Sequence, residues 1–459
     1  MLIFPPLERG QPKPLYEQLY RHIRARIESG ELGAGEALPS RREMSSLCGV
    51  SVITVENAYA QLTAEGFVRA KARKGFFVEA IERVPQKAAP LPMPGEDHAR
   101  APENARYDCR FGRIDETAFP HRLWRSVQQD ALLQTGALQR GEAQGELPLR
   151  LALCGYLKRL RGVTADPSRV VIGPGLEWLI LSLLPLFPEE ARFGMEDPGY
   201  TPYRKLLKSY GRNVVTVPSR GGGVDGAALR AAMPHVLYLS PSHRFPLGGV
   251  LSAGARREAL KWAEETGAVI LEDDYDSELR YRGLPIPSLQ SMDGGGRVIY
   301  LGSFSECLAP GLRIGYMVLP PGFPERWRES RIACAVPVPA QLALAAFIRE
   351  GHLERHVSKM RTLYRRRREA LLELLKPLES RVAAEDDGAG LFVRLRLKMP
   401  GTEERYLRLA ADAGVRLTGV SQFYDAPDER HIRLLFGFGG LRDDELRGAI
   451  KSLHEAWLG

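Results

Sequence analysis

Cysteine is scarce in this chain, with five in 459 residues. Cys48, Cys109, Cys154, Cys307 and Cys334 are scattered and form no C-x-x-C pair. That spacing argues against a disulfide framework and a thiolate metal site, and it predicts a reduced, cytoplasmic protein without bound metal. Long apolar runs are missing too. No uninterrupted stretch reaches the roughly 18 residues a spanning helix needs, so no membrane segment is expected. The opening Met1-Leu2-Ile3-Phe4-Pro5-Pro6 lacks a basic stretch ahead of an apolar core, so no secretory leader is expected either. What remains is 44% hydrophobic and 26% charged, a globular composition. The length exceeds one ordinary core and predicts two or three domains. The net charge of +8 is compatible with a nucleic-acid partner without requiring one.

Near the start, Leu15, Leu19, Ile23 and Ile27 recur every fourth residue, on one helical face, and Gly30 and Gly33 end the helix. Ser40 and Glu43 have capping-box spacing, which predicts a second helix with Met44, Leu47 and Cys48 as its apolar stripe. Gly49 closes it, Val50-Ser51 turns the chain, and Ser51 can cap a third helix. That helix presents Val55, Ala58, Tyr59 and Leu62 on one face and ends at Gly66. Phe67–Arg69 and Gly75–Val78 then read as short strands around the basic tip Ala70-Lys71-Ala72-Arg73-Lys74. Two short helices across a tight turn, followed by a basic hairpin, form a winged helix-turn-helix pattern. Its second helix would enter a major groove while cations hold phosphates. The competing reading is a structural helical domain with a solvated basic loop.

The same segment resembles the GntR-type winged helix over about residues 10–79. The match runs through P-L-Y-x-Q-L at Pro14–Leu19, L-P-S-x-R-E at Leu38–Glu43, V-S-x-x-T-V at Val50–Val55 and A-Y-x-x-L at Ala58–Leu62. The resemblance implies that Arg42, Ser51 and Thr54 face a double-stranded DNA operator. It also implies that the wing, with Lys71, Arg73, Lys74 and Gly75, touches the minor groove or backbone. The family usually has arginine just after the serine, where this chain has Val52 and Ile53. Apolar groups there can contact a thymine methyl and cannot bond guanine bidentately, which points to weaker or A·T-biased readout. Residues 80–106 follow, with Pro85, Pro90, Pro92, Pro94 and Pro102 and no apolar period. They read as a tether or an ordered surface loop between a DNA-binding domain at 1–79 and a larger domain at 107–459.

In the larger domain, apolar runs at Val170–Ile172, Val214–Val217, Val236–Leu239, Ala268–Leu271 and Val298–Leu301 alternate with helical segments. This predicts a mostly parallel sheet covered on both faces. Val170–Ile172 runs into the turn Gly173-Pro174-Gly175 and then a helix, a weak anion-site signal by itself. A long basic helix over Leu353–Leu375 leads to a smaller α+β lobe. Its run Arg365–Arg368 spreads around the helix and reads as a solvated face. Polar clusters follow the strands: Glu196-Asp197-Pro198-Gly199-Tyr200, Ser242-His243-Arg244-Phe245-Pro246, and Glu272-Asp273-Asp274-Tyr275-Asp276. Such clusters at the C-terminal ends of parallel strands build a ligand crevice, where a buried carboxylate can hold a protonated ring nitrogen and an aromatic can stack on a flat ligand.

Ser303-Phe304-Ser305-Glu306-Cys307 and Leu312-Arg313-Ile314-Gly315-Tyr316 resemble the cofactor-lysine loop of fold-type I pyridoxal phosphate (PLP) proteins, usually S-F-S-K followed by L-R-x-G-Y. With the clusters above, residues 107–459 resemble the aminotransferase-like domain of MocR/GabR regulators in the GntR family. The resemblance implies an α/β fold-type I domain with a mostly parallel sheet and a smaller α+β lobe, and a homodimer. It also implies that Tyr200 stacks on the cofactor ring with His243 beside it. Asp273 would pair with the ring nitrogen, Tyr275 with the ring hydroxyl, Ser303 and Arg313 with the phosphate, and Arg433 with an amino-acid carboxylate. Asp273, Tyr275 and Arg433 could also survive as scaffold groups.

Several positions depart from that pattern. Glu306 stands where the family has the lysine that anchors the cofactor. Arg140-Gly141-Glu142 replaces Y-G-D, Gly173-Pro174-Gly175 replaces the usual phosphate turn, and Phe392 stands where histidine often follows Gly390-Leu391. A carboxylate cannot form an imine, so covalent PLP is not expected. The domain then holds PLP noncovalently, takes another effector, or serves as a dimer scaffold. The expected function is a catalytically inactive, DNA-binding transcription regulator. A PLP aminotransferase is the alternative enzyme reading, and it lacks its lysine.

Overall fold

The computed structural model describes residues 7–8, 13–80, 106–220, 222–425 and 431–458. The Pro-rich stretch expected to connect the domains lies, between residues 81 and 105, outside the described residues. The chain divides into two compact units, Met1–Arg100 and Ala101–Gly459.

In the first unit α1 spans Leu15–Ser29, α2 Arg41–Cys48 and α3 Val52–Ala64. The stop after α1 is Gly30, left-handed at φ 81°, which donates its N–H to the Ile27 carbonyl. Ser40 and Glu43 form the full capping box of α2. Gly49 closes α2 in the left-handed region. Three short strands, β1 Ala37–Leu38, β2 Val68–Lys71 and β3 Gly75–Val78, make an antiparallel sheet in the order β1-β3-β2. Leu19, Ile23, Met44, Val55, Ala58, Tyr59 and Leu62 pack into its core. The apolar stripe predicted for α2 is corrected. Met44 is buried, but Leu47 is 51% exposed, because a helix of two turns buries one narrow face against α3.

The second unit is built on an eight-stranded sheet. In chain order its strands are β4 Val170–Gly173, β5 Arg192–Asp197, β6 Asn213–Arg220, β7 Gly223–Val224, β8 Val236–Leu239, β9 Val269–Asp274, β10 Val298–Ser303 and β11 Gly315–Val318. They are ordered β4-β11-β10-β9-β8-β5-β6-β7. β11 runs antiparallel to both its neighbours and β7 antiparallel to β6, while the other pairings are parallel. The central strands β8, β9 and β10 are buried throughout, as a sheet covered on both faces requires. A smaller antiparallel sheet follows, from β12 Val382–Glu385, β13 Phe392–Leu397, β14 Thr418–Gly419 and β15 Ile432–Gly437, in the order β12-β13-β15-β14.

The helix His352–Leu375 leads into this lobe. Its arginine run is corrected: Arg365 and Arg366 are exposed, but Arg367 and Arg368 are buried. Arg367 donates to Asp115 at 2.5 Å, and Arg368 pairs with Asp386. At about 100° per residue, two of four consecutive arginines must turn inward, and each meets an acid there.

Candidate functional site

The C-terminal ends of β9 and β10 open into a cavity of about 200 Å³. Its walls are largely aromatic: Phe111, Tyr200, Tyr203, Tyr238, Phe245, Tyr275 and Phe392. Strand periodicity decides which acid of Glu272-Asp273-Asp274 enters it. Alternate residues point to opposite faces, so Glu272 and Asp274 share one side and Asp273 takes the other. Glu272 accepts the N–H groups of Leu289 and Gln290, at 2.6 and 2.8 Å. Asp274 accepts Arg161 at 2.7 and 3.1 Å and the Tyr300 hydroxyl at 2.5 Å. Asp273 lines the cavity. One of its oxygens accepts the Tyr238 hydroxyl, and the other, Oδ1, is buried without a hydrogen-bond partner among the described residues. Burial pushes this carboxyl up to about 7 against the lowering effect of the Tyr238 bond.

Glu306 also lines the cavity. Among the described residues its carboxylate has no hydrogen-bond or ion-pair partner. Burial, and then the nearby Asp276, push it up to about 8. Ser303, Ser305, Gly175 and Arg313 form another part of the lining. Arg313 is left-handed at φ 50°. Gly175 stands at φ 127°, a backbone conformation that favours glycine, and a Cβ there would also lie 2.4 Å from Arg313 Nη2. Arg313 already faces an acid, with Nη2 3.3 Å from Glu177 Oε2.

Two expected site residues stand elsewhere. His243 lies behind the lining, buried, with Nδ1 2.6 Å from Asp276 Oδ2 and 3.0 Å from the Tyr275 hydroxyl. Phe392 stacks on it with ring centres 5.4 Å apart. Burial alone would lower the imidazolium, but Asp276 outweighs that, and His243 is held above its usual value. Arg433 is outside the lining. It sits on β15 with Nε 3.6 Å from Glu385, an acid shared with Arg394 and Arg396. The structure therefore gathers Tyr200, Asp273, Tyr275, Ser303, Glu306 and Arg313 at one cavity. It adds Phe111, Glu177, Tyr238, Phe245 and Asp276, which were not singled out. Asp276 and Phe245 lay within the polar clusters read after the strands. Phe111 and Tyr238 reach the site through tertiary folding, and no local pattern marked them.

The cavity suits part of PLP. A flat ring fits between aromatic walls, a ring N–H could satisfy Asp273 Oδ1, and Ser303, Ser305 and Arg313 offer donors to a phosphate. What Glu306 offers this cavity is a carboxyl group and not an amine.

In the first unit Arg42, Ser51, Lys71, Arg73, Lys74 and Gly75 are exposed and Thr54 is half-buried. Ser51 caps α3: its Oγ accepts the Thr54 N–H at 3.1 Å and lies 2.8 Å from Thr54 Oγ1. Val52 and Ile53, 42% and 68% exposed, open the first turn of the same helix. At the hairpin tip Arg73 is left-handed at φ 61°, and Lys71 Nζ lies 4.7 Å from the centre of the Phe77 ring.

The pattern of bacterial regulatory proteins of the gntR family matches residues 15–78, and that of aminotransferase class I and II matches residues 114–453. The chain is 37% identical to the uncharacterized HTH-type transcriptional regulator YhdI of Bacillus subtilis strain 168, over 100% of this chain and 98% of that protein. It is 31% identical to the probable rhizopine catabolism regulatory protein MocR of Rhizobium meliloti, over 98% of this chain and 95% of that one. Among solved structures, Pyrococcus horikoshii kynurenine aminotransferase superposes with a TM-score of 0.66 at 27% identity, covering 76% of this chain and 90% of that one. With a GntR winged helix ahead of a fold-type I aminotransferase fold, this chain belongs to the MocR-type HTH transcriptional regulators of the GntR family.

Proposed function

We propose that this protein is a homodimeric, DNA-binding transcription regulator whose aminotransferase-fold unit does not transaminate and instead holds a small effector without a covalent bond. The observation that carries the reading is Glu306, a carboxylate with no partner among the described residues, in the cavity where a transaminase needs an amine. Transamination requires a group that can form an imine and then move a proton, and a carboxylate cannot do the first. Asp273 would orient the ring of the effector, the aromatic walls would exclude water, and Ser303 and Arg313 would hold an anionic tail.

On the DNA side, Arg42 and the exposed first turn of α3 would read the major groove, and Lys71, Arg73 and Lys74 would hold backbone phosphates. Two winged helices would match two half-sites. The dimer draws support from apolar side chains left in solvent between residues 132 and 151. Leu132 is 50% exposed, Leu133 85%, Leu138 80% and Leu151 53%, a surface that suits a second copy of the chain.

The test combines selection of bound duplexes from a random-sequence pool with transaminase assays over a panel of amino donors. The reading expects an enriched, symmetric site whose binding is lost in Arg42→Ala, and no turnover. Turnover above the uncatalysed rate would sink the non-catalytic assignment. Enrichment of no sequence would sink the operator assignment.

A further inference from the structure

We infer that Glu306 is the counter-ion of a ligand ammonium group, so that the cavity takes the amine form of a pyridoxal-type ligand, pyridoxamine or its phosphate, in preference to the aldehyde form. The inference rests on the reading of this unit as a noncovalent ligand-binding domain, and it names the chemistry of the ligand.

Charge balance in the cavity carries the argument. Four acids line it, Glu177, Asp273, Asp276 and Glu306, against one cation among the described lining residues, Arg313. Glu177 is matched by Arg313. Asp276 is matched by His243 behind the wall. Two carboxylates are left over. Asp273 is 5% exposed, and its Oδ1 has no partner. Glu306 has neither a hydrogen bond nor an ion pair among the described residues. Asp273 is buried and Glu306 half-buried; leaving a carboxylate unpaired where water is scarce costs free energy, and a ligand with cationic N–H donors would recover it.

The complementary ligand is therefore flat, to fit between Tyr200, Phe245 and Tyr275, and carries two such donors. A protonated pyridine nitrogen would serve Asp273, and an exocyclic ammonium would serve Glu306. An aldehyde in the same place has no proton to donate, and once Glu306 is ionised the aldehyde's carbonyl oxygen would face a carboxylate. Where the cofactor family has an amine on the protein and an aldehyde on the ligand, Glu306 reverses the assignment: acid on the protein, amine on the ligand. No bond is made or broken.

The experiment is calorimetric titration of the full chain with pyridoxamine, pyridoxamine phosphate and pyridoxal phosphate, in the wild type, Glu306→Gln and Glu306→Asp. The expected result is that the phosphorylated amine binds at least about tenfold tighter than the aldehyde. Glu306→Gln removes that preference by weakening the amine, with the aldehyde changed by less than about threefold. Glu306→Asp, which keeps the charge, retains part of it and guards against a merely structural effect of the substitution. Comparing pyridoxamine with its phosphate reports the contribution of Arg313. Equal binding of amine and aldehyde in the wild type, or a preference that survives Glu306→Gln, overturns the inference while leaving a noncovalent site standing. Binding of none of the three overturns both.

Discussion

Glu306 and Asp273 are raised for the same reason, burial; among the described residues Asp273 Oδ1 is buried without a partner, and Glu306 has neither a hydrogen bond nor an ion pair. Raised carboxyls hold their protons more firmly in the folded chain than in the unfolded one. Their contribution to stability is therefore fully present below about pH 4 and is lost as pH rises toward 7 to 8. Glu306→Gln should stabilise the ligand-free protein, more at pH 8 than at pH 5, by on the order of 1–2 kcal/mol. A melting curve at each pH checks it, and a gain that is equal at both would contradict the assignment. Arg161 behaves oppositely. Its partner Asp274 is buried beside it, so Arg161→Ala strands a charge and should cost about 3–5 kcal/mol, read by urea unfolding. Both acids at the cavity were legible in the sequence, because each sits in a short motif just past an apolar strand. The position of His243 was not. Its motif places the residue at a strand end, but the packing of Asp276 and Phe392 turns the ring behind the wall.

At the level of elements, the helix starts were the most readable feature. Ser40–Glu43 and Ser51–Thr54 announce α2 and α3 through spacing alone, and both caps form. Ser51→Ala should cost about 1 kcal/mol by removing the donor-satisfying oxygen at the start of α3. Val52→Ala together with Ile53→Ala should weaken DNA binding with a change in stability within about 0.5 kcal/mol, because both side chains stand in solvent. Anisotropy with the selected duplex and thermal unfolding separate the two effects. What local pattern could not give was the direction of single side chains. The apolar spacing puts Leu47 on an inner stripe, yet it faces solvent; the arginine run reads as solvated, yet Arg367 and Arg368 meet acids inside the fold. For the two arginines the partner comes from outside the helix: Asp115 lies 252 residues from Arg367 in sequence.

Across the whole molecule, the parallel sheet and its smaller antiparallel companion were readable from alternating strands and helices, and strand order was not. β11 inserts antiparallel between β4 and β10, a pairing across the chain that no run of residues announces. The two compact units have separate hydrophobic cores, so a chain beginning at residue 101 should keep the ligand affinity of the full protein and lose DNA binding. The exposed leucines predict that Leu133→Glu with Leu138→Glu lowers the mass in sedimentation from two chains to one. The central claim, that the cavity holds its ligand without a covalent bond because of Glu306, is tested most directly by an absorption spectrum of the full protein titrated with pyridoxal phosphate beside Glu306→Lys. The account predicts a visible band from covalent attachment in the lysine variant and none in the native protein. A covalent band in the native protein, surviving removal of free ligand, would contradict it.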